Sequence, residues 1–221
     1  MIKLEQIKKN PEIISLINAS CECLRKMNYT EHGLRHASYV SALTGKILAE
    51  LNYDANTVEL GKIAGYIHDV GNSVNRHNHG IAGALLVYPI LRGMNMPYDD
   101  INTITASIGN HEEEIGLPIN AVSAAMIIAD KSDAHRTRVR RGDYDPNDIH
   151  DRVNYAINRN EILVSKDQMT ISHKLWMEET ASVMDYFNIY LSRIQMCEQA
   201  ASLLECKFKL YINDVLINLA Q

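Results

Sequence analysis

Long hydrophobic runs are missing from this chain of 221 residues. No segment approaches the roughly 20 consecutive apolar residues that a membrane-spanning helix needs, so we expect no membrane span. The first ten residues, MIKLEQIKKN, contain lysines but no continuous apolar stretch, and this argues against a secretory signal. These absences predict a protein of the cytoplasm that has no membrane partner.

Cysteine and excess positive charge are also scarce. The cysteines are Cys21, Cys23, Cys197 and Cys206, and they form no C-x-x-C pair of the kind that builds a structural zinc ribbon. A disulfide framework is not expected at this size and density, so we interpret them as reduced thiols. The formal net charge of -5 argues against nonspecific nucleic-acid binding by the molecule as a whole, although local basic patches remain open.

The composition that is present, 46% apolar and 22% charged, is typical of a globular protein with one domain or one domain plus a small appendage. Up to about residue 140, apolar residues recur at helical spacing, and glycine and proline separate the segments. The predicted helices begin at Pro11 and then cover about 31–51, 56–70, 79–93, 99–110 and 120–133. The pattern therefore predicts a mainly α helical bundle.

The C-terminal part has a different pattern. Two short β-compatible stretches, 161–165 and 169–173, predict a hairpin, and a long amphipathic helix should follow over 178–205. Residues 207–212 are compatible with a final strand. We therefore expect a helical core over 1–140, covered at its N-terminus by the first helix to about 28, and a small α+β extension over 141–221 packed on it.

The helical region contains most of the nine histidines. His32 and His36 are four residues apart, which predicts that they face the same side of one helix. His68 and Asp69 close one apolar helix, and Asp130 closes another. A carboxylate at the buried end of a core helix is costly unless a metal or a partner compensates its charge. The further histidines of interest are His77, His79 and His111.

Imidazole and carboxylate groups together suit Mn, Fe, Zn or Ni, and a carboxylate can bridge two ions. Two such ions can polarise a phosphoryl group and lower the pKa of a bridging water. A single histidine at a helix end is more often a capping or core residue than a ligand. Only the joint pattern therefore indicates a metal centre.

The order H…HD…H…H…D over roughly residues 30–140 resembles the HD-domain superfamily of metal-dependent phosphohydrolases. The matching segments are HASYV from His36, YIHDVGN from Tyr66, HGIAG from His79, HE from His111 and DKSDA from Asp130. The later segments resemble the HD-GYP branch in particular. Residues 113–118 read EEIGLP where that branch carries Gly-Tyr-Pro, so cyclic di-GMP specificity is not expected.

The resemblance implies one or two divalent ions, with Mn, Fe, Ni and Zn as the alternatives, and makes Asp69 and His68 the central catalytic residues. The implied ligands are His36, His68, Asp69 and Asp130 for the first ion, and Asp69, His79 and His111 for the second. Asn110 stands where the branch has a further histidine, so weaker binding is expected at the second site. Asn72 replaces the branch's usual lysine. His32 and His77 are weaker candidates for extra ligands.

The expected function is hydrolysis of a phosphomonoester or phosphodiester, with a nucleotide favoured, by a metal-bound hydroxide. Lys131, Arg136 and Arg138 are expected to bind the phosphate, with a solvent-exposed helix end as the alternative for this basic run. The rival functions are a di-iron HD-type oxygenase and an HD-like binding module without catalysis. A phosphorylated small molecule is the expected partner, a nucleic-acid duplex is not, and homodimerisation through the C-terminal part is left open.

Overall fold

The computed structural model describes residues 2–140 and 144–217, and it is mainly helical with a small sheet near its C-terminal end. The helices are α1 (Leu4–Ile7), α2 (Pro11–Lys26), α3 (Leu34–Glu50), α4 (Ala55–Ile67), α5 (His79–Gly93), α6 (Tyr98–Gly109), α7 (Ala121–Lys131), α8 (Ile149–Ala156) and α9 (Val183–Leu203). The strands are β1 (Ile157–Ser165), β2 (Thr170–Met177), β3 (Lys207–Ile212) and β4 (Val215–Ile217). The predicted fold class is confirmed at this level.

The helices begin where the sequence offers side-chain caps. The Asn10 side chain accepts hydrogen bonds from the first turn of α2, where Pro11 occupies the first helical position. Asp54 caps α4 in the same way, and Asn120 forms a reciprocal capping box with Ser123 at the start of α7. Each cap satisfies backbone N–H groups that have no partner within the helix.

Helix α7 is the innermost element of the helical part. Its residues from Val122 to Ala129 are all buried, which is the pattern of a helix enclosed on every side. Helices α3, α4, α6 and α9 pack against it. Because α7 ends at Lys131, it delivers the carboxylate of Asp130 to the interior of the bundle.

The sheet has the strand order β1-β2-β3-β4, with an antiparallel, a parallel and an antiparallel pair. The parallel pair needs a crossover connection, and α9 supplies it between β2 and β3. On the inner face, Ile162 and Ile171 pack with the helical core, whereas Leu210 and Ile212 pack in a second cluster with α8 and α9. The extension is therefore attached to the core through its inner face.

Several local predictions need correction. Helix α3 begins at Leu34, so His32 precedes it instead of lying on it. Helix α7 stops at Lys131, and residues Arg136–Arg138 form a separate 3-10 turn after an extended residue. Helices α1 and α8 and strand β4 were not predicted.

The predicted boundary at 140/141 adjoins residues 141–143, which lie outside the described part, and it stays a prediction. The predicted extension also includes 218–221, which lie outside that part as well. No described helix has the length and apolar character required to cross a membrane.

Candidate metal centre

Six histidine and aspartate side chains, from five helices and the residues that follow them, meet inside the bundle. Helix α3 carries His36, the end of α4 delivers His68 and Asp69, α5 begins with His79, His111 follows α6, and α7 carries Asp130. The four histidines are at most 3% exposed, and both carboxylates are partly buried. The structure thus brings together all of the ligands that the family resemblance implies.

The first group of ligand atoms surrounds the Nε2 atoms of His36 and His68, which lie 3.3 Å apart. Asp130 Oδ1 lies 3.2 Å from the first of these nitrogens and 3.5 Å from the second. Asp69 Oδ2 lies 3.5 Å from both. Ligand atoms at this spacing could share one ion among three residues or more.

The second group surrounds the Nε2 atoms of His79 and His111, which lie 3.0 Å apart. The other oxygen of Asp69, Oδ1, is 3.3 Å from His79 Nε2 and 3.7 Å from His111 Nε2. Asp69 therefore directs one oxygen toward each group, as a bridging carboxylate would.

The hydrogen bonds of the opposite ring nitrogens decide the tautomers of these histidines. His68 Nδ1 donates to the Gly65 carbonyl at 3.0 Å, and His79 Nδ1 donates to the Arg76 carbonyl at 2.9 Å. His111 Nδ1 donates to the Ile108 carbonyl at 2.6 Å. Since a carbonyl can only accept, the proton lies on Nδ1 and each Nε2 presents a lone pair to the site.

His36 has the same orientation for a different reason. Its Nδ1 donates to Asp133 Oδ2 at 2.7 Å, and Arg35 and Arg138 hold that carboxylate from the other side. The sequence pattern included Asp133 only as part of the DKSDA segment, and its role as the acceptor for His36 was missed. A carboxylate behind a ligating histidine also makes the ring a stronger ligand.

With these tautomers, the Nε2 lone pairs of the two histidines in each group face each other. When both rings are neutral, His36 and His68 have no proton to share between their Nε2 atoms, and the same holds for His79 and His111. The Asp69 Oδ2 atom between them is buried and accepts no hydrogen bond from the described residues. A cation in each group would relieve this repulsion, so the residues present fit a centre with one or two metal ions.

The charges of the cluster shift the ionisation of its two carboxylates toward the ligating form. Burial alone would raise the pKa of Asp69, but His68, His111 and His79 lower that pKa well below its usual range. Asp130 also has a strongly lowered pKa, because Lys131 and His68 outweigh the effect of its burial. Both carboxylates are therefore charged at neutral pH.

The histidines differ from one another in their ionisation. Burial lowers the pKa of His111 to about 4, which keeps its ring neutral. Burial also acts to lower the pKa of His68, but Asp69 and Asp130 outweigh it and raise this pKa above its ordinary value. A proton on His68 thus competes with a metal ion as the pH falls.

The weaker ligand candidates lie at different distances from the cluster. His32 contacts His36 ring to ring at 5.2 Å between centroids, but its Nε2 accepts a hydrogen bond from Arg138 Nη2 at 2.7 Å. That arginine also lowers the pKa of His32, which burial lowers first. His77 is exposed on the loop before α5. Asn110 turns its amide to the Ala106 carbonyl and does not join the cluster.

The three basic residues predicted to bind phosphate are also placed differently. Lys131 is buried, and its Nζ lies 2.7 Å from Asp130 Oδ2, at the edge of the cluster. Arg138 is buried behind His36 and is held by Asp133 and His32. Arg136 pairs instead with Glu178 and lies over the Tyr155 ring.

A small cavity of about 150 Å³ opens beside the cluster, with His79 and Lys131 in its wall. Arg193 of α9 also lines it, and Glu113 joins the two cations, with Oε1 at 3.5 Å from Lys131 Nζ and 3.0 Å from Arg193 Nε. Arg76 and Tyr29 stand on another side of the cavity, 5.4 Å from guanidinium to ring centroid. Sequence reasoning missed Arg193 and Arg76, because only the packing of α9 and of the loop before α5 brings them here.

No family model matches the chain. Among curated proteins it is similar to Ribonuclease Y of Lawsonia intracellularis, at 29% identity over 55% of this chain and 21% of that protein. Ribonuclease Y of Opitutus terrae is 28% identical over 59% of the chain and 23% of the relative, and that of Aliarcobacter butzleri is 31% identical over 60% and 23%. The chain thus matches about a fifth of the length of these relatives. The similarity joins it to proteins that are named as ribonucleases.

Proposed function

We propose that this chain is a metal-dependent phosphohydrolase that cleaves phosphodiester bonds of nucleotides or of a single RNA strand. The observation that carries the proposal is the pair of facing Nε2 groups, at 3.3 Å and 3.0 Å, with one oxygen of Asp69 directed at each. Metal ions held there would supply Lewis acidity toward a phosphoryl oxygen and lower the pKa of a water. The similarity to proteins named Ribonuclease Y supports phosphodiesters as the substrate class.

The wall of the cavity beside the cluster carries three cations, of Lys131, Arg193 and Arg76, together with the carboxylates of Glu112, Glu113 and Glu114. Lys131 and Arg193 both face it, and their shared counter-ion is Glu113. A phosphoryl anion that enters would replace the carboxylate of Glu113 as the partner of both cations. Guanidinium and ammonium groups bind phosphate oxygens strongly, and they stabilise the negative charge of the transition state.

The size of this cavity limits which part of a substrate it can enclose. Pockets that enclose whole drug-sized ligands measure about 300–1,000 Å³, whereas this one measures about 150 Å³. It can therefore take the phosphoryl group while the attached nucleosides remain outside. Tyr29, which is 43% exposed at the cavity, offers a ring on which a base could stack. These features favour an accessible phosphodiester over a fully enclosed small molecule.

The direct test is metal analysis of protein purified without chelator, followed by assays on phosphomonoesters, a dinucleotide and a short RNA strand. We expect bound transition metal, hydrolysis of at least one phosphodiester, and loss of that hydrolysis after chelation with recovery when Mn or Fe is returned. An absence of bound metal even after incubation with these ions would refute the proposal. Visible absorbance of the iron form that changes with an organic substrate would point instead to oxygenase chemistry.

The phosphate-binding residues can be tested separately from the metal ligands. Lys131→Ala and Arg193→Ala should each lower kcat/KM by roughly tenfold or more, the loss of one charge-assisted contact, with the metal content unchanged. Arg92→Ala, an exposed arginine on α5, is the matched control. Full activity in both variants would place phosphate binding elsewhere.

Arg138→Ala should behave differently, because this residue supports Asp133 behind His36. Its main effect should be weaker metal binding, whereas a phosphate ligand would change only the kinetics. Arg136→Ala tests the remaining sequence-based expectation, and its contacts with Glu178 and Tyr155 offer no route to the cavity.

A further inference from the structure

The solvent-facing side of the C-terminal sheet carries a regular set of polar and aromatic side chains. Side chains alternate between the two faces along a strand, and the inner set, such as His173 and Leu175 of β2, is buried. The register then places Lys174 and Trp176 of β2 on the outer face. Their outer neighbours are Arg159 opposite Trp176, Glu161 opposite Lys174, Tyr211 beside Lys174, Lys209 beside Ser172 and Lys207 beside Thr170.

This outer face has the opposite charge sign to the whole chain. Its strands carry Arg159 and the lysines at 174, 207 and 209, against Glu161, which pairs with Arg159 at 2.6 Å, and Asp214 of the turn before β4, which contacts Trp176. The three lysines form no ion pair with any residue in the described ranges. The formal net charge of the chain is -5, whereas this face keeps an excess of positive charge from its three lysines and is a local basic patch.

Aromatic rings lie among these cations. The Arg159 guanidinium stands 4.2 Å from the centroid of the Trp176 ring, and Lys174 Nζ stands 5.0 Å from that of Tyr211. Both rings are partly exposed, and Asp214 fixes the tryptophan by accepting a hydrogen bond from its Nε1 at 3.1 Å. Rings and guanidinium planes stack with unpaired bases, and neighbouring lysines attract the phosphates between those bases.

We propose that this face, defined by Arg159, Lys174, Trp176, Lys207, Lys209 and Tyr211, binds single-stranded RNA. The positive charge of the face favours a polyanion as its ligand. The aromatic rings between the lysines favour a polyanion with exposed bases, and a duplex does not expose its bases. The choice of RNA over other single strands rests on the proposed function.

The face is separate from the metal centre. Asn160, which points to the inner side of β1, donates hydrogen bonds to the carbonyls of Ser132 and Ala134 beside the cluster. The outer face therefore lies on the far side of the sheet from these contacts. A strand bound there is anchored at a distance from the bond that is cleaved, so the site should favour long substrates over short ones.

The position of Trp176 makes the test direct, because it is the single tryptophan of the sequence. Metal-free Asp69→Ala protein, which should leave RNA intact, is titrated with a single strand of about ten nucleotides while tryptophan fluorescence is followed. We expect saturable quenching, and an apparent Kd that rises with salt as lysines release counter-ions from the phosphates. Anisotropy of a labelled strand gives an independent measure if the quenching is small.

The variant that tests the face replaces Lys174, Lys207 and Lys209 together by alanine. Its Kd for the strand should rise by roughly tenfold or more, with a shallower salt dependence. The matched control replaces Lys3, Lys9 and Lys26, which are exposed beside or at the ends of the first two helices. In the metal-loaded enzyme, the triple variant should also lose part of the preference for a long strand over a dinucleotide.

Specific outcomes would overturn the inference. They are equal Kd values for the two triple variants, binding of polyphosphate or anionic vesicles as tight as that of RNA, and equal binding of duplex and single strand. If the strand does not bind but dinucleotides are hydrolysed, the inference is wrong and the proposed function stands. If the strand binds while no substrate is hydrolysed with any metal, the proposed function fails and the binding face stands.

Discussion

Buried histidines occur in both parts of this molecule, and they are held in opposite ways. In the helical core, His36, His68, His79 and His111 are at most 3% exposed, and in the sheet His173 is 1% exposed. His173 Nε2 donates to Asn160 Oδ1 at 2.9 Å, so a donor meets an acceptor. In the core, acceptors meet acceptors at 3.0 Å and 3.3 Å.

The difference shows that burial alone does not mark a metal ligand. The His173 and Asn160 pair is complete within the protein, because the asparagine uses its amide nitrogen on the carbonyls of Ser132 and Ala134. In the core cluster the facing Nε2 atoms have no such partner among the described residues, and a cation would supply one. The arrangement of lone pairs, which follows from what each Nδ1 donates to, is what distinguishes the two regions.

The largest expected effect is that of Asp69→Ala. This residue directs an oxygen to each ligand group, so its removal should release both ions and lower kcat/KM by more than the roughly 10²–10³-fold that follows the loss of one electrostatic contact. Metal analysis and kinetics on the best substrate measure this. His173→Gln, a buried histidine of the other region, is the control and should retain its metal. Retained metal and activity in Asp69→Ala would remove the distinction between the regions.

The next effect is a loss of folding stability at acid pH, which follows from the lowered pKa of a buried histidine in each of the two regions. Burial lowers the pKa of His173 to about 4, as it does for His111. Each of these residues takes up a proton in the unfolded chain as the pH falls below 6.5. In the folded chain the same residue stays neutral down to about pH 4. Each should therefore cost about 3 kcal/mol of unfolding free energy across that window in metal-free protein.

Denaturant unfolding at several pH values, with and without metal, separates the two histidines. His173→Gln should reduce the loss of unfolding free energy between pH 6.5 and 4, and to the same extent in metal-free and metal-loaded protein. His111→Gln should flatten it in metal-free protein, and bound metal should itself alter the contribution of His111 because the ion competes with the proton. A response of His173 to metal would contradict the comparison.

The sequence predicted the helical core well, and its errors have physical reasons. Helix bounds followed from caps and apolar periodicity, and the order of motifs predicted which histidine and aspartate side chains cluster, although their role as ligands stays a prediction. Helix α8 was missed because its eight residues offer little periodicity, even though Asp148 caps it. Arg193 and Asp133 could not be assigned roles, because the contacts that define them join distant parts of the chain.

A smaller effect is expected from Asp133→Asn, which keeps the shape behind His36 but removes the charge that holds its tautomer. Metal affinity should fall by about 10–100-fold, as is usual for partners behind ligating histidines. Asn160→Ala, which loosens the same loop from the sheet side, should have a weaker effect. Isothermal titration with Mn measures both variants, and wild-type affinity in Asp133→Asn would mean that Arg35 and Arg138 alone position the loop.

The smallest expected effect lies inside the core, between its two ligand groups. The first group has His36, His68, Asp130 and Asp69 Oδ2, whereas the second has His79, His111 and Asp69 Oδ1, because Asn110 bonds to the Ala106 carbonyl. One protein ligand fewer should raise the Kd of the second ion by about tenfold, the lower end of the 10–100-fold range that partners of metal ligands contribute. Titration of metal-free protein should then show two unequal affinities.

Asn110→His offers the sharper measurement. If its ring reaches the second group, it should reduce the difference between the two affinities. No change in Kd would show that the loop after α6 cannot present a ligand from this position. Two equally tight sites in the wild-type protein would mean that another residue completes the second group, and His32 could do so only after Arg138 releases its Nε2.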